Sequence, residues 1–195
     1  MMEMSFFESV PEPPLPPAQE RGQQAWLPPD GVIPGTAATQ LSLIATDEVA
    51  VAISGLRAYP NGFEFTIHAL GRREDFPWGI SPTDSISDPR TRQAPEKALR
   101  LGVLYADGRR AKLASDRPHP LAEDDHKYLT FLEVGRRGTD RQWTGDFWVH
   151  PLPADGPVTF VASWLLYEVA ETRAELDSSA IREAAGRATS AWPDA

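Results

Sequence analysis

From residue 36 onward, apolar and polar residues alternate with a period of two in short runs that end at turn residues, the signature of half-buried antiparallel strands. Leu41, Leu43 and Ala45 alternate with Gln40, Ser42 and Ile44; beyond Asp47-Glu48, Val49, Val51 and Ile53 alternate with Ala50, Ala52 and Ser54. Tyr59-Pro60-Asn61-Gly62 then marks a hairpin, because Asn-Gly favours the type I′ turn whose twist matches that of paired strands. Phe63, Phe65, Ile67 and Ala69 line the core face of the following strand, with Glu64, Thr66 and His68 outside. Alternation resumes at Leu99, Leu101, Val103 and Tyr105, turns at Asp107-Gly108, returns through Ala111 and Leu113, and restarts over Tyr128 to Val134.

The best-specified stretch runs from Trp143 to Leu176. Trp143, Phe147 and Val149 share one face, and Thr144, Asp146 and His150 share the other, where Trp148 is an apolar exception. Pro151-Leu152-Pro153 removes two amide donors and ends the ladder, and Asp155-Gly156 predicts a hairpin back into Val158, Phe160, Ala162 and Trp164. After a turn near 165–169, Ala170, Thr172, Ala174 and Leu176 face inward against Glu171, Arg173, Glu175 and Asp177. A slip of one residue would bury those four acidic and basic side chains, so the register is strongly specified. Asp177 is a good helix cap, and Ile181, Ala184, Ala185, Ala188 and Trp192 follow at helical spacing, which predicts a helix over 178–192. Eight or nine strands with no helix between them predict an all-β antiparallel sandwich, Ig-like or related, in one domain over 37–192 with a tail at 193–195.

Two stretches lack this pattern. Residues 1–36 hold eight of the 19 prolines and few apolar residues, so they bury too little to offset their ordering entropy and are predicted to be a disordered or polyproline-like arm. Pro14 and Pro17 lie in a PxxP-spaced tract that is also the composition of a stiff spacer. Phe6, Phe7 and Trp26 are the arm's aromatic residues, available to a partner's pocket or to the domain's own surface. Residues 71–97 carry four prolines and no periodicity, the mark of a long functional or disordered loop, and Phe76-Pro77-Trp78 is placed to cover an open end of the sandwich.

The 195-residue chain carries 28 Asp plus Glu against 19 Lys plus Arg, a formal charge of −9 that would repel nucleic acid or an anionic membrane. It has no cysteine, which excludes disulfides and thiolate chemistry and fits a reducing cytoplasm. The N-terminal sequence lacks the basic and apolar regions of a signal peptide, and no apolar run is long enough to span a bilayer.

Candidate chemistry is sparse. His68, His119, His126 and His150 lack the spacing of a zinc site, and Glu123 to His126 lacks the glycine of a calcium loop, so no metal ligand is assigned. Asp146, His150 and Ser163 would approach one another across the expected hairpin. Ser163, however, has neither the strained turn nor the oxyanion hole that a serine nucleophile needs. No glycine-rich phosphate loop is present, and no catalytic residue or cofactor is assigned. Trp78 and Trp148 are the two tryptophans available as exposed platforms for a sugar or small molecule.

The runs GLRAYPNGFEF at 55–65, FWVHPLPADGPVTFVASW at 147–164 and ETRAELDSSAIREAAGRA at 171–188 resemble an uncharacterised family of actinobacterial hypothetical proteins with a variable proline-rich N-terminus. The resemblance covers most of residues 30–192. It implies a single bacterial cytoplasmic domain and carries no activity, cofactor or site residue. Taken together, these features point to a non-enzymatic protein–protein interaction or structural module that binds an unknown protein or itself, and not nucleic acid or membrane. The alternative is small-molecule or carbohydrate binding, or an unrecognised enzyme, at the loop end, where Phe76, Trp78, Trp148 and His126 would converge.

Overall fold

Each period-two run becomes a strand, and the apolar rows of two sheets meet face to face. The computed structural model describes residues 24–72, 97–113, 129–139 and 141–192. In chain order its strands are β1 (Val32–Ile33), β2 (Gly35–Ala45), β3 (Val49–Tyr59), β4 (Gly62–Gly71), β5 (Arg100–Tyr105), β6 (Arg110–Lys112), β7 (Thr130–Gly138), β8 (Gln142–His150), β9 (Pro157–Trp164), β10 (Val169–Asp177) and β11 (Thr189–Ser190). One helix, α1 (Ser178–Ala185), lies between the last two. The strands form an all-β sandwich of a five-stranded sheet, order β2-β3-β4-β8-β7, and a four-stranded sheet, order β10-β9-β5-β6, with every neighbour antiparallel.

The core is the sum of the inward rows. Val51, Ile53, Phe63, Phe65, Ile67, Phe147 and Val149 from one sheet pack with Leu101, Val103, Val158, Phe160 and Trp164 from the other. Phe65 stands opposite Phe147 in the β4–β8 register, with ring centroids 5.8 Å apart, and meets Phe160 of the second sheet edge-on at 5.0 Å.

Several local expectations change. The β2–β3 register shifts between Ser42 and Ile44, and this bulge turns both Leu43 and Ile44 inward, leaving Ala45 exposed. A second irregularity between Val169 and Thr172 leaves Ala170 outside, after a turn at Leu165–Tyr167 that ends in left-handed Glu168, φ 56°. Tyr59 pairs with Gly62, yet neither Asn61 nor Gly62 has a positive φ, so the turn is not type I′. Pro60 occupies its first central position, as type I turns favour.

The largest change concerns the link after β8. Pro151 to Gly156 does not close a hairpin: β8 pairs with β4 and β7, whereas β9 pairs with β5 and β10 in the opposite sheet. The prolines stop the ladder and the chain crosses between layers. Segments 73–96 and 114–128, outside the described residues, likewise join strands of opposite sheets.

The boundaries also move. Residues 24–36, assigned to the arm by composition, include β1, which pairs with β11, and a turn packed on the β3–β4 hairpin. The helix ends at Ala185 and not near 192, because Thr189–Ser190 is drawn into pairing with Val32–Ile33 and the Ala191 amide donates to the Gly31 carbonyl, 2.7 Å. Asp177 caps α1 as expected, accepting from the Ser179 amide at 2.8 Å. Ile181 and Ala184 seat the helix fully buried against β2 and β3.

Gly35 permits that seat: a Cβ on it would overlap the Ala184 carbonyl oxygen and lie 3.0 Å from Arg187 Cβ. Gly35→Ala is expected to force α1 outward and cost about 1–3 kcal/mol, as overpacking does. Urea unfolding would show this as a lower midpoint with an unchanged m value.

Candidate functional site

Because β3, β4 and β8 bury their apolar rows, their alternate residues gather on the outer face of the five-stranded sheet. Ser54 lies opposite Thr66, and Thr66 opposite Asp146, so three strands deliver a polar row to one place. Ser54 Oγ and His68 Nε2 share a hydrogen bond of 2.8 Å. Thr66 Oγ1 donates to Asp146 Oδ1 at 2.6 Å, and Arg137 pairs with the same carboxylate at 3.5 Å. Toward the hairpin, Arg57 pairs with Glu64 at 2.9 Å while the Tyr59 hydroxyl donates to Glu64 at 3.3 Å.

Glu64 is 8 % exposed, and its burial pushes its pKa above the ordinary 4.5 despite Arg57 beside it. Burial, and then the charge of Glu64, raise the Tyr59 hydroxyl in turn. Charge on this face is therefore mostly neutralised within it. Among the described residues no carboxylate lies within ion-pair distance of His68, so the Ser54–His68 pair lacks the third group that orients a catalytic imidazole. Nor do three His, Asp or Glu side chains converge among the described residues.

At the hairpin end the face is occupied by the chain itself. The Leu27 amide donates to the Gln24 carbonyl at 3.0 Å, making a tight turn that we term the strap. Three successive strap carbonyls are then held from below: Asn61 Nδ2 donates to Ala25 O and Leu27 O, 2.8 Å each, and Trp148 Nε1 donates to Trp26 O, also 2.8 Å. Trp148 is fully buried, edge-on to Tyr59 at a centroid distance of 5.5 Å. A Cβ at Gly62 would lie 2.5 Å from Trp148 Cζ2, so this glycine serves the close approach of the indole and not a left-handed turn. His150, buried, donates from Nδ1 to the Asn61 carbonyl at 2.8 Å, which fixes the turn's backbone and requires the proton on that nitrogen. The Tyr105 hydroxyl donates to the Pro151 carbonyl at 2.6 Å and ties the adjoining crossover to the second sheet.

These contacts rearrange the sequence-based candidates. Trp26 and Trp148, one predicted for the arm and the other for an exposed ligand platform, meet in one hydrogen bond. Trp148 is not a platform: its position on the outer face of β8 suited one, but the strap, Tyr59 and Gly62 close around it. Asp146 and His150 lie on the outer face of one sheet and Ser163 on the other, where its hydroxyl donates to the Val169 carbonyl at 3.5 Å, so no triad forms. Phe6, Phe7, Pro14, Pro17, Phe76, Trp78, His119 and His126 lie outside the described residues. Asn61 and Glu64 were not singled out for a site. An Asn in a turn signals only its local geometry, and a strand glutamate reads as solvated.

Among the described residues no helix is long and apolar enough to cross a membrane. No protein-family model, no curated protein and no solved structure matches the chain.

A carboxyl whose folded pKa is raised binds its proton more tightly in the folded state, so its contribution grows on acidification and is lost as pH rises through the folded value. Glu64→Gln removes that dependence. Between neutral pH and about 4.5, urea titrations are expected to show the wild type gaining stability relative to the variant as pH falls. A difference that did not change with pH, or that moved in the variant's favour on acidification, would contradict the assignment.

Proposed function

We propose that the protein is a non-enzymatic protein–protein interaction module of a reducing, bacterial cytoplasm, in which the sandwich holds the root of its N-terminal segment so that residues 1–23 are offered to a partner. One observation carries this reading: the carbonyls of Ala25, Trp26 and Leu27 are all bound by side chains of the sheet face, so the segment bearing Phe6, Phe7, Pro14 and Pro17 departs from a fixed point. Anchoring at the root lowers the entropy a docking segment loses on binding, since one end is already placed. The outer face supports the same reading, because its carboxylates are matched to arginines and hydroxyls already present. The absence of cysteine suits the reducing compartment.

The test compares three tagged chains in crosslinked native lysate: the full chain, the Phe6→Ala/Phe7→Ala double variant, and a chain beginning at Gln24, which keeps the strap. The expected result is one partner enriched by the full chain and reduced at least tenfold with both others. Equal recovery by all three would move the interface onto the sandwich. If none recovers a protein and the full chain sediments as a monomer, the module reading fails and ligand binding around Phe76, Trp78 and His126 replaces it.

A further inference from the structure

The strap satisfies only half of the residue that holds it. Asn61 gives both side-chain hydrogens to strap carbonyls, while its Oδ1 is buried without a hydrogen-bond partner. A side-chain amide is a donor and an acceptor side by side, the complement of a peptide group. An extended peptide presents C=O and N–H groups along one edge and can answer both. A tight turn cannot: Leu27 spends its amide on Gln24, and what faces the sheet is a run of carbonyls. Buried amide oxygens are normally paired, so the orphaned acceptor marks a position where an N–H belongs.

The strap is not part of a strand ladder. Its only backbone–backbone hydrogen bond among the described residues is the one that closes its own turn, and side chains of Asn61 and Trp148 bind its carbonyls. Pro28 and Pro29 separate it from β1, so it can lift without unpairing Val32–Ile33 from β11. Segments with few buried backbone hydrogen bonds open at a fraction of the cost of global unfolding. Lifting it uncovers the N–H edge of Trp148, whose ring is already positioned by Tyr59 and Gly62.

We propose that Tyr59, Asn61, Gly62 and Trp148 form a receptor for the backbone of an extended peptide segment of another protein, and that Gln24–Leu27 is the displaceable strap that fills it meanwhile. The occupant gives one carbonyl to Trp148 Nε1 and an adjacent C=O and N–H pair to Asn61, with an apolar side chain where Trp26 and Leu27 lie half-buried. This receptor stands whether or not residues 1–23 bind a partner.

The experiment selects 12-residue peptides from a displayed random library on the full chain, then measures the selected peptides by fluorescence anisotropy and follows the Leu27 amide by hydrogen exchange. Bound peptide is expected to accelerate exchange at Leu27, because the strap has been displaced. Asn61→Ala and Trp148→Phe are expected to weaken binding at least tenfold, whereas Trp26→Ala, which loosens the competing strap, strengthens it several-fold. Melting curves check folding, and if Trp148→Phe does not fold, Asn61→Ala and Trp26→Ala still decide. No selectable peptide, or binding indifferent to Asn61→Ala, or Leu27 exchange unchanged at saturation would each overturn the proposal. A concentration-dependent dimer abolished by Asn61→Ala would also overturn it, since the occupant would then be a second copy's strap.

Discussion

The edge-to-face contact of Phe65 with Phe160 joins the two layers at 5.0 Å, and the remaining structure depends on it. Phe65 also lies against Phe63, Phe131 and Phe147. One side chain therefore aligns β4, β7 and β8 and presses them onto β9. Burying so large an aromatic group is worth several methylenes of transfer free energy. With that face committed to the core, the alternation of the pleat commits Glu64, Thr66, Asp146 and Trp148 to the opposite one.

Strand β8 carries this division farthest. Its inner row, Trp143, Phe147 and Val149, belongs to the core, and its outer row includes Trp148 and His150, which are nevertheless buried. A strand covered on both faces needs a cover on the second, and the strap supplies part of it, with its carbonyls bound by Asn61 and Trp148. Binding through the backbone suits the seat to the peptide receptor proposed above. That property connects the packing of β8 to the interaction function proposed for the protein.

Much of this was legible in residue order. The rows Val49-Val51-Ile53 and Phe63-Phe65-Ile67-Ala69 face inward as their period requires, and Asp177 caps the helix that its spacing announces. Ile44 and Ala170 were misplaced because a bulge adds one residue to one strand against its neighbour, and nothing in the strand's own alternation records what the neighbour does. The Pro151–Gly156 link carries the same chemistry whether the chain turns back on itself or crosses between layers. The candidate site was less legible still: Trp26 and Trp148 are 122 residues apart, and Asn61 looked like turn chemistry because its side chain's partners lie outside the turn.

The sequence by itself determined the long strands and the apolar face along most of each, and hence that the fold is all-β; these follow from backbone geometry and burial acting over a few residues. Only the tertiary structure decided which strands are neighbours, where the bulges fall, and that the root of the N-terminal segment rests on Trp148 and Asn61. Those outcomes depend on packing between residues far apart in the chain, where partners are chosen by shape and by the need to satisfy buried polar groups, and no local pattern encodes that choice.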